Sequence, residues 1–395
     1  MQLFTISIRG NIPKLYVIKI AKWFMLTMPI LMLFYKDMGF TNEEAFRLKA
    51  LYSIVIVIFE IPSGYFADIL GRKTTLILGA ILGTLGFLFY SIGHSFLYFA
   101  LAEITLGLGQ SFISGSDSAL LYDSLKENNQ QHDYTKFEGF ITSIGNYAES
   151  LGAIIGGALA EISLRTPFFW QTGIAFLAIP AALTLVEPKR AKTEHNPGFM
   201  HILKIVKYSL ITNIKLRWAL IYSSLIGSAT LTMAWVYQLQ LKELGFGEFQ
   251  IGSTATFLNL LVGTVTLVAY KIEKRTSTRF LMLFITVVIT TGFVAAGLSK
   301  TPWVLLTVLT IFYAVRGIAT PVLKNIVNIM AASEARATIL SIRSLIIRAF
   351  FAIIAPLFGW ISDRLSLNEA LIIIGIVFII LSLSIVSLFI KNITE

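Results

Sequence analysis

Residues 64–76 read GYFADILGRKTTL, and they lie between two apolar runs, LYSIVIVIFEIPS (51–63) and LILGAILGTLGFLF (76–89). Gly64, Asp68, Gly71, Arg72 and Lys73 crowd into ten residues of an otherwise greasy chain. The glycines let backbones turn sharply and approach closely. An acid at a helix end where water is scarce needs a partner, which Arg72, Lys73 or a neighbouring helix terminus can supply. The stretch therefore reads as a tight charged turn between two membrane-crossing segments.

Composition extends that reading to the whole chain. Of 395 residues 56% are hydrophobic and only 14% charged, with mean hydropathy +0.77, whereas a soluble domain carries about 25% charged residues. This much apolar surface cannot be hidden in water, so the chain is read as an all-α polytopic membrane protein. There are no cysteines, which excludes disulfides and thiolate chemistry. The four histidines (His94, His132, His195, His201) show no ligand spacing, and neither metal nor cofactor is expected. No catalytic triad, Walker loop or dinucleotide fingerprint occurs, so an enzyme or ATP-driven pump is not expected. The N-terminal MQLFTISIRGNIPK lacks a small-residue cleavage site, and the first apolar segment is read as a retained span.

A span needs about 20 mostly apolar residues. Twelve segments qualify, near 13–35, 46–66, 75–93, 96–121, 138–160, 167–186, 217–241, 249–270, 279–298, 302–327, 338–361 and 368–390. The long connection after the sixth divides them six and six, giving an N-terminal bundle (1–186), a cytoplasmic linker (187–216) and a C-terminal bundle (217–395). With the N-terminus inside, 21 Lys and Arg fall on the inner side, Arg343 among them, against seven outside. Both termini are thus expected in the cytoplasm. The net charge of +10 is a topology signal and not a nucleic-acid footprint. In the linker, Phe199, Leu203, Val206 and Leu210 share one side, as in a helix lying on the inner membrane surface or a solvated linker helix.

The halves repeat. LFYKDMGFTNEE (33–44) is echoed by LQLKELGFGEFQ (239–250). ISGSDSALLYD (113–123) aligns with VRGIATPVLKN (315–325), and IGGALAEISL (155–164) with LFGWISDRLS (357–366), both at an offset of 202. Two pseudo-symmetric six-helix bundles follow, an architecture in which rocking halves alternate access to a mid-membrane substrate.

The turn at 64–76 resembles the signature loop of the major facilitator superfamily, G-x-x-x-D-x-x-G-R-[RK], at Gly64, Asp68, Gly71, Arg72 and Lys73. The resemblance covers the chain. It implies the twelve-helix major facilitator fold, and a conformational latch at this loop that closes the cytoplasmic side. The alternative is that Arg72 and Lys73 only obey the positive-inside rule. KIEKRTSTR (271–279) is a degenerate echo, with Glu273 and Arg275 in weaker versions of the same parts. In span five, Gly152, Gly156 and Gly157 resemble the family's antiporter motif G-P-x-x-G-G, with Ala153 at the proline and Gly139 upstream. Packing alone would also explain these small residues. Drug–proton antiporters of the family carry an arginine in span four where this chain has Glu103, so that role does not transfer.

Ionisable groups at membrane depth mark candidate sites. Glu103, Gln110, Ser114 and Asp117 recur at spacings of 7, 11 and 14 residues and form one polar stripe, expected to face a cavity or another helix. Glu149 sits midway along span five, Arg316 near the middle of span ten, and Arg348 within span eleven. In the family, spans one, four, seven and ten line the cavity, which would set Arg316 opposite the stripe. Arg316 then contacts an anionic group or exchanges partners among Glu103, Asp117 and Glu149; fixed ion pairs are the alternative. Lys19 and Lys22 sit shallowly enough to snorkel, and Glu60 is expected to pair with the charged loop. Proton coupling would use a buried carboxylate, with Glu149 and Asp117 first and Glu103 next.

The reading is a monomeric, multi-pass secondary transporter of a bacterial-type cytoplasmic membrane, working by alternating access. Proton-coupled export of small amphipathic compounds is the first expectation, supported by aromatics on the cavity helices (Trp23, Phe24, Trp235, Tyr237, Phe312, Tyr313). The alternatives are transport of an organic anion (carboxylate, amino-acid-like nutrient or metal chelator) clasped by Arg316 and Arg348, or a transporter-like receptor or scaffold.

Overall fold

The computed structural model describes residues 7–188, 204–332 and 335–394. Phe199 and Leu203 of the linker lie outside the described residues, as does the side chain of Asp68. The described residues form helices and turns with no strand. Eleven helical segments among them are long and apolar enough to cross a membrane. The fifth span, Tyr134–Ala160, is a 27-residue helix of sufficient length. Its glycines, Asn146 and Glu149 lower its hydropathy, and it is not among those eleven. Beyond the linker's first part, residues 204–207 are helical and Tyr208–Thr212 makes a wider turn that leads into the seventh span, Ile214–Glu243.

Contacts group the chain into two units. One comprises Met1–Phe40, Leu51–Lys192 and Gly247–Thr256; the other comprises Thr41–Ala50, Thr193–Phe246 and Phe257–Glu395.

In the first unit two spans are not the continuous helices that apolar length suggests. The first span is helical over Asn11–Trp23, breaks, and resumes through Met28–Ile30 into Leu31–Asp37. The break is filled from span five. A Cβ on Gly156 would stand 1.9 Å from the Leu26 carbonyl oxygen, and one on Gly152 2.8 Å from the Met25 nitrogen. The Leu26 N–H, freed by the break, donates to Gln171 Oε1 at 2.8 Å, so the buried backbone group is not left without an acceptor. The antiporter-like glycines thus pack against the broken first span, and Gly157 packs against Gly252, where a Cβ would lie 3.0 Å from the Gly252 Cα.

Span four also breaks. Phe96–Ile113 ends, Gly115 takes φ +76°, and Ser116–Glu127 begins a new helix. A left-handed residue is cheap only for glycine. The core beneath this joint is apolar, with Leu15, Ile18, Leu76, Ile113, Leu120, Leu121, Leu125 and Ala182 buried together.

The second unit packs by the same close approaches. Gly227 of span seven faces Ile347 of span eleven, Arg336–Arg364, and a Cβ there would lie 2.7 Å from Ile347 Cδ1. Phe293 of span nine meets Phe312 of span ten and Phe378 of span twelve at centroid distances of 5.9 and 5.2 Å. Asp363 caps the helix Asn42–Leu70, accepting the N–H groups of Asn42 and Glu43 at 2.9 and 2.7 Å.

Candidate functional site

The charged turn is a finished piece of helix capping. Gly71 takes φ +102° and Arg72 opens the third span, Arg72–Ile92. The first N–H groups of that helix need acceptors, and Glu187, just past the end of span six, supplies them. Its Oε1 accepts Arg72 N–H at 3.0 Å and its Oε2 accepts Lys73 N–H at 2.7 Å. A carboxylate at a helix N-terminus is also favoured by the helix dipole. The Arg72 guanidinium donates to the Ala119 carbonyl at 2.6 Å and pairs with Asp123, both on the C-terminal segment of span four. Thr75 Oγ1 donates to Ser116 Oγ at 3.1 Å and tightens the same seam. Gly64 is exposed, with no atom within 4 Å of a Cβ built there. The partners Asp123 and Glu187 were not foreseen from sequence. Asp123 is visible only as the repeat counterpart of Asn325, 202 residues on.

That counterpart makes the echo concrete. Asn325 Nδ2 donates to Glu273 Oε1 at 2.7 Å. In both units a residue at or beside the turn therefore binds the C-terminal part of a later span: ionically in the first unit, and through an amide in the second.

The span-four stripe is not one face. The break at Gly115 rotates Asp117 out of register with the residues before it. Glu103 is fully buried among aromatics, accepting hydrogen bonds from Tyr35 at 2.8 Å and Tyr90 at 2.6 Å; the two hydroxyls also contact each other. Phe34, Phe99 and Phe168 stack around this group, so Glu103 lines no cavity. Ser114 Oγ donates to Glu60 Oε1 at 2.8 Å. Glu60 thereby pairs with span four and not with the charged loop, because it lies a full turn and more before the loop begins. Gln110 and Glu149 are half-buried on their spans.

Asp117 meets a charge. Its Oδ2 is 3.6 Å from Lys19 Nζ. Lys19 does not snorkel: its side chain is 13% exposed and its ammonium lies 5.2 Å from the Trp23 ring centroid. Beside the pair, Ser118 Oγ donates to Glu138 Oε1 at 2.8 Å. Glu138 Oε2 is buried with no hydrogen-bond partner among the described residues. Lys19, Lys22, Asp117, Ser118 and Glu138 line one narrow cleft between spans one, four and five. Glu138 was missed from sequence; its place one turn into span five beside a helix break is visible only in three dimensions.

In the second unit Arg316 is half-buried, with its guanidinium 5.1 Å from the Tyr313 ring centroid. Tyr313 meets Tyr237 edge-on at 6.1 Å. Tyr237, Phe312 and Tyr313 are buried, so these expected cavity aromatics are core residues. Trp235 carries the Lys49 ammonium 4.4 Å from its ring centroid. Arg348 is half-buried. Arg343, counted from sequence as an inner-side topology charge, lies within span eleven and donates from Nε to Ser223 Oγ of span seven. Among the described residues no cluster of His, Asp and Glu suited to a metal ion occurs. Outside the spans, burial lowers the Arg165 guanidinium below the ordinary arginine range, opposed by nearby Asp37.

The comparison with known families decides the class. The family model described as Major Facilitator Superfamily matches residues 16–349. The chain belongs to the major facilitator superfamily. It is a multi-pass membrane protein of a family of transporters. Among curated proteins it is similar to "Quinolone resistance protein NorA" of Staphylococcus aureus (strain MSSA476), 27% identical over 209 residues, 53% of this chain and 50% of that one. It is also similar to "Multidrug resistance protein 2" of Bacillus subtilis (strain 168), 25% identical over 178 residues, 45% of this chain and 43% of that one. These matches span about half the length of the curated relatives or less. Among solved structures the nucleoside transporter NupG superposes with TM-score 0.81 at 13% identity, covering 97% of this chain and 99% of that one. A bacterial homologue of the lysosomal transporter Spinster, inward-facing and unoccupied, gives 0.78 at 12%, covering 98% of each. These likenesses show the fold alone.

Proposed function

We propose that this transporter exports small amphipathic organic compounds across the cytoplasmic membrane by alternating access, driven by proton entry. Its resemblance to proteins named for quinolone and multidrug resistance supports the export reading. The observation that carries the coupling is the cleft in which Asp117 holds Lys19 while Glu138 keeps a buried oxygen open beside them. A proton arriving on either carboxylate changes which one holds the lysine, and a buried ion pair responds strongly to the loss of one charge. Spans one, four and five meet at this cleft, so the exchange acts on helices that must shift when access alternates.

The same reading places both termini and the linker in the cytoplasm, treats the chain as a monomer of two bundles (1–186 and 217–395), and makes the loop at Gly64, Asp68, Gly71, Arg72 and Lys73 a latch of the cycle. The test is substrate flux in proteoliposomes with an imposed pH gradient, for the wild type and for Asp117→Asn, Glu149→Gln and Glu103→Gln singly. Asp117→Asn is expected to abolish the response to the gradient while exchange of substrate continues. Gradient dependence that survives all three substitutions removes the coupling proposal.

A further inference from the structure

The second sequence half keeps cations at membrane depth and confines its acids to helix ends. Arg316 is residue 15 of a 29-residue helix, and Arg343 and Arg348 are residues 8 and 13 of another. Every described carboxylate of spans seven to twelve (Glu243, Glu248, Glu273, Asp363, Glu369) lies within three residues of its helix end. The guanidinium of Arg343 is clamped. Its Nε donates to Ser223 Oγ, and Ser223 is 1% exposed. Ser224 Oγ donates back to the Arg343 carbonyl at 3.2 Å. One turn on, Gly227 lets span seven approach Ile347 directly. Span seven thus holds Arg343 at its main-chain carbonyl and at its Nε.

What remains is the outer edge of the fork. Among the described residues no carboxylate stands within ion-pair reach of Arg343, and its Nη1 and Nη2 groups have no hydrogen-bond acceptor. A guanidinium offers two parallel N–H groups along that edge, matched to the two oxygens of a carboxylate. Holding the side chain in place beforehand lowers the entropy lost on binding.

We propose that Arg343, positioned by Ser223, is an oxyanion-binding residue of this transporter, and that its ligand is the carboxylate of an amphipathic aromatic acid. The inference rests on the export reading and deepens it by naming the substrate class. Exported compounds of this class place their ring system on the apolar surface and their carboxylate on the Nη groups of Arg343. A phospholipid phosphate has the same oxyanion chemistry and is the other source the test must separate.

The experiment uses the full chain in phosphatidylcholine nanodiscs and three matched pairs of probes. These are 1-naphthylacetate, 4-biphenylacetate and 1-pyrenebutyrate, each with its neutral carboxamide. Binding is read by tryptophan fluorescence for the wild type, Arg343→Gln, Arg343→Lys and Ser223→Ala. The wild type is expected to prefer at least one acid over its amide by about tenfold, the scale of a charged hydrogen-bonded pair. Arg343→Gln should erase that preference with the amide affinity unchanged, and Arg343→Lys should keep part of it. Ser223→Ala should weaken it while leaving the guanidinium in place. Acids bound no better than amides by the wild type, or a preference that persists in Arg343→Gln, overturns the proposal. Equal loss of acid and amide in Arg343→Gln shows a helix-packing role and overturns it as well. Repeating the titrations in phosphatidylglycerol nanodiscs separates the sources: an Arg343-dependent retention of lipid without any acid preference assigns the site to headgroup phosphate and overturns the substrate assignment. The export reading fails separately, as an absence of gradient-driven flux for acid and amide alike with the acid preference intact.

Discussion

In the first sequence half, a carboxylate at depth has a donor beside it. Glu60 has Ser114, Glu103 has two tyrosines, Asp117 has Lys19, Asp123 has Arg72 and Glu138 has Ser118. In the second, the deep ionisable groups are arginines, and two of them meet neutral partners, Arg316 over Tyr313 and Arg343 on Ser223. The two halves repeat a fold while dividing the labour of charge. One holds carboxylates beside hydrogen-bond and ionic donors, and the other holds guanidinium groups at membrane depth. In the export proposed above, the carboxylates would serve the driving ion and the arginines the cargo.

The sharpest way to break this comparison is to remove the backbone break that the acidic half depends on. Gly156→Ala puts a methyl 1.9 Å from the Leu26 carbonyl oxygen, where backbone on both sides must move. The expected loss is about 3 kcal/mol, the upper end of overpacking costs, read as lost folded yield and a collapse of thermal stability in detergent. Gly359→Ala, in the second unit, meets the Asn42 carbonyl oxygen at 2.7 Å and should cost less. Equal stability of both variants would mean the broken first span is not the structural centre of its unit.

Smaller effects separate the two turns. Asp123→Asn leaves the Arg72 guanidinium with a neutral partner and should cost roughly 1–3 kcal/mol, the range for a charged hydrogen bond left incomplete. Partial exposure of the pair, about a fifth on each side chain, puts the expectation at the low end. Flux should fall with stability. Glu273→Gln keeps a hydrogen bond to Asn325 and should stay within about 0.5 kcal/mol of wild type, as for an ordinary surface change. If Glu273→Gln is the more damaging of the two, the ionic turn is not the dominant one. For the latch itself, Asp68→Asn is expected to slow the transport cycle while substrate affinity stays near wild type; lost affinity with normal cycling contradicts a latch.

Much of this was legible in the sequence. The turn at 64–76 pointed to the family that the match over residues 16–349 shows, and the repeat offset of 202 set Asp123 against Asn325. Apolar length could not show that spans one and four are interrupted, because a hydropathy window averages over a break that changes no residue type. Gly115 was the available hint in span four. Without the break, Glu103 and Asp117 look like one stripe; with it, one sits in an aromatic core and the other on Lys19. Glu138 was passed over and Lys19 was read as a snorkelling base because their meeting depends on three helices crossing. Arg343 was hidden by a count that treats inner-side arginines as topology.

The measurement that reaches the central claim most directly is a flux screen on the purified wild-type chain in sealed proteoliposomes, across amphipathic cations, neutral compounds and aromatic acids, with and without a pH gradient. The account predicts gradient-driven movement of at least one amphipathic class, opposite in direction to proton flow. Ligand binding without flux for any class, in vesicles shown to hold the gradient, would contradict it and leave a receptor with a transporter's fold.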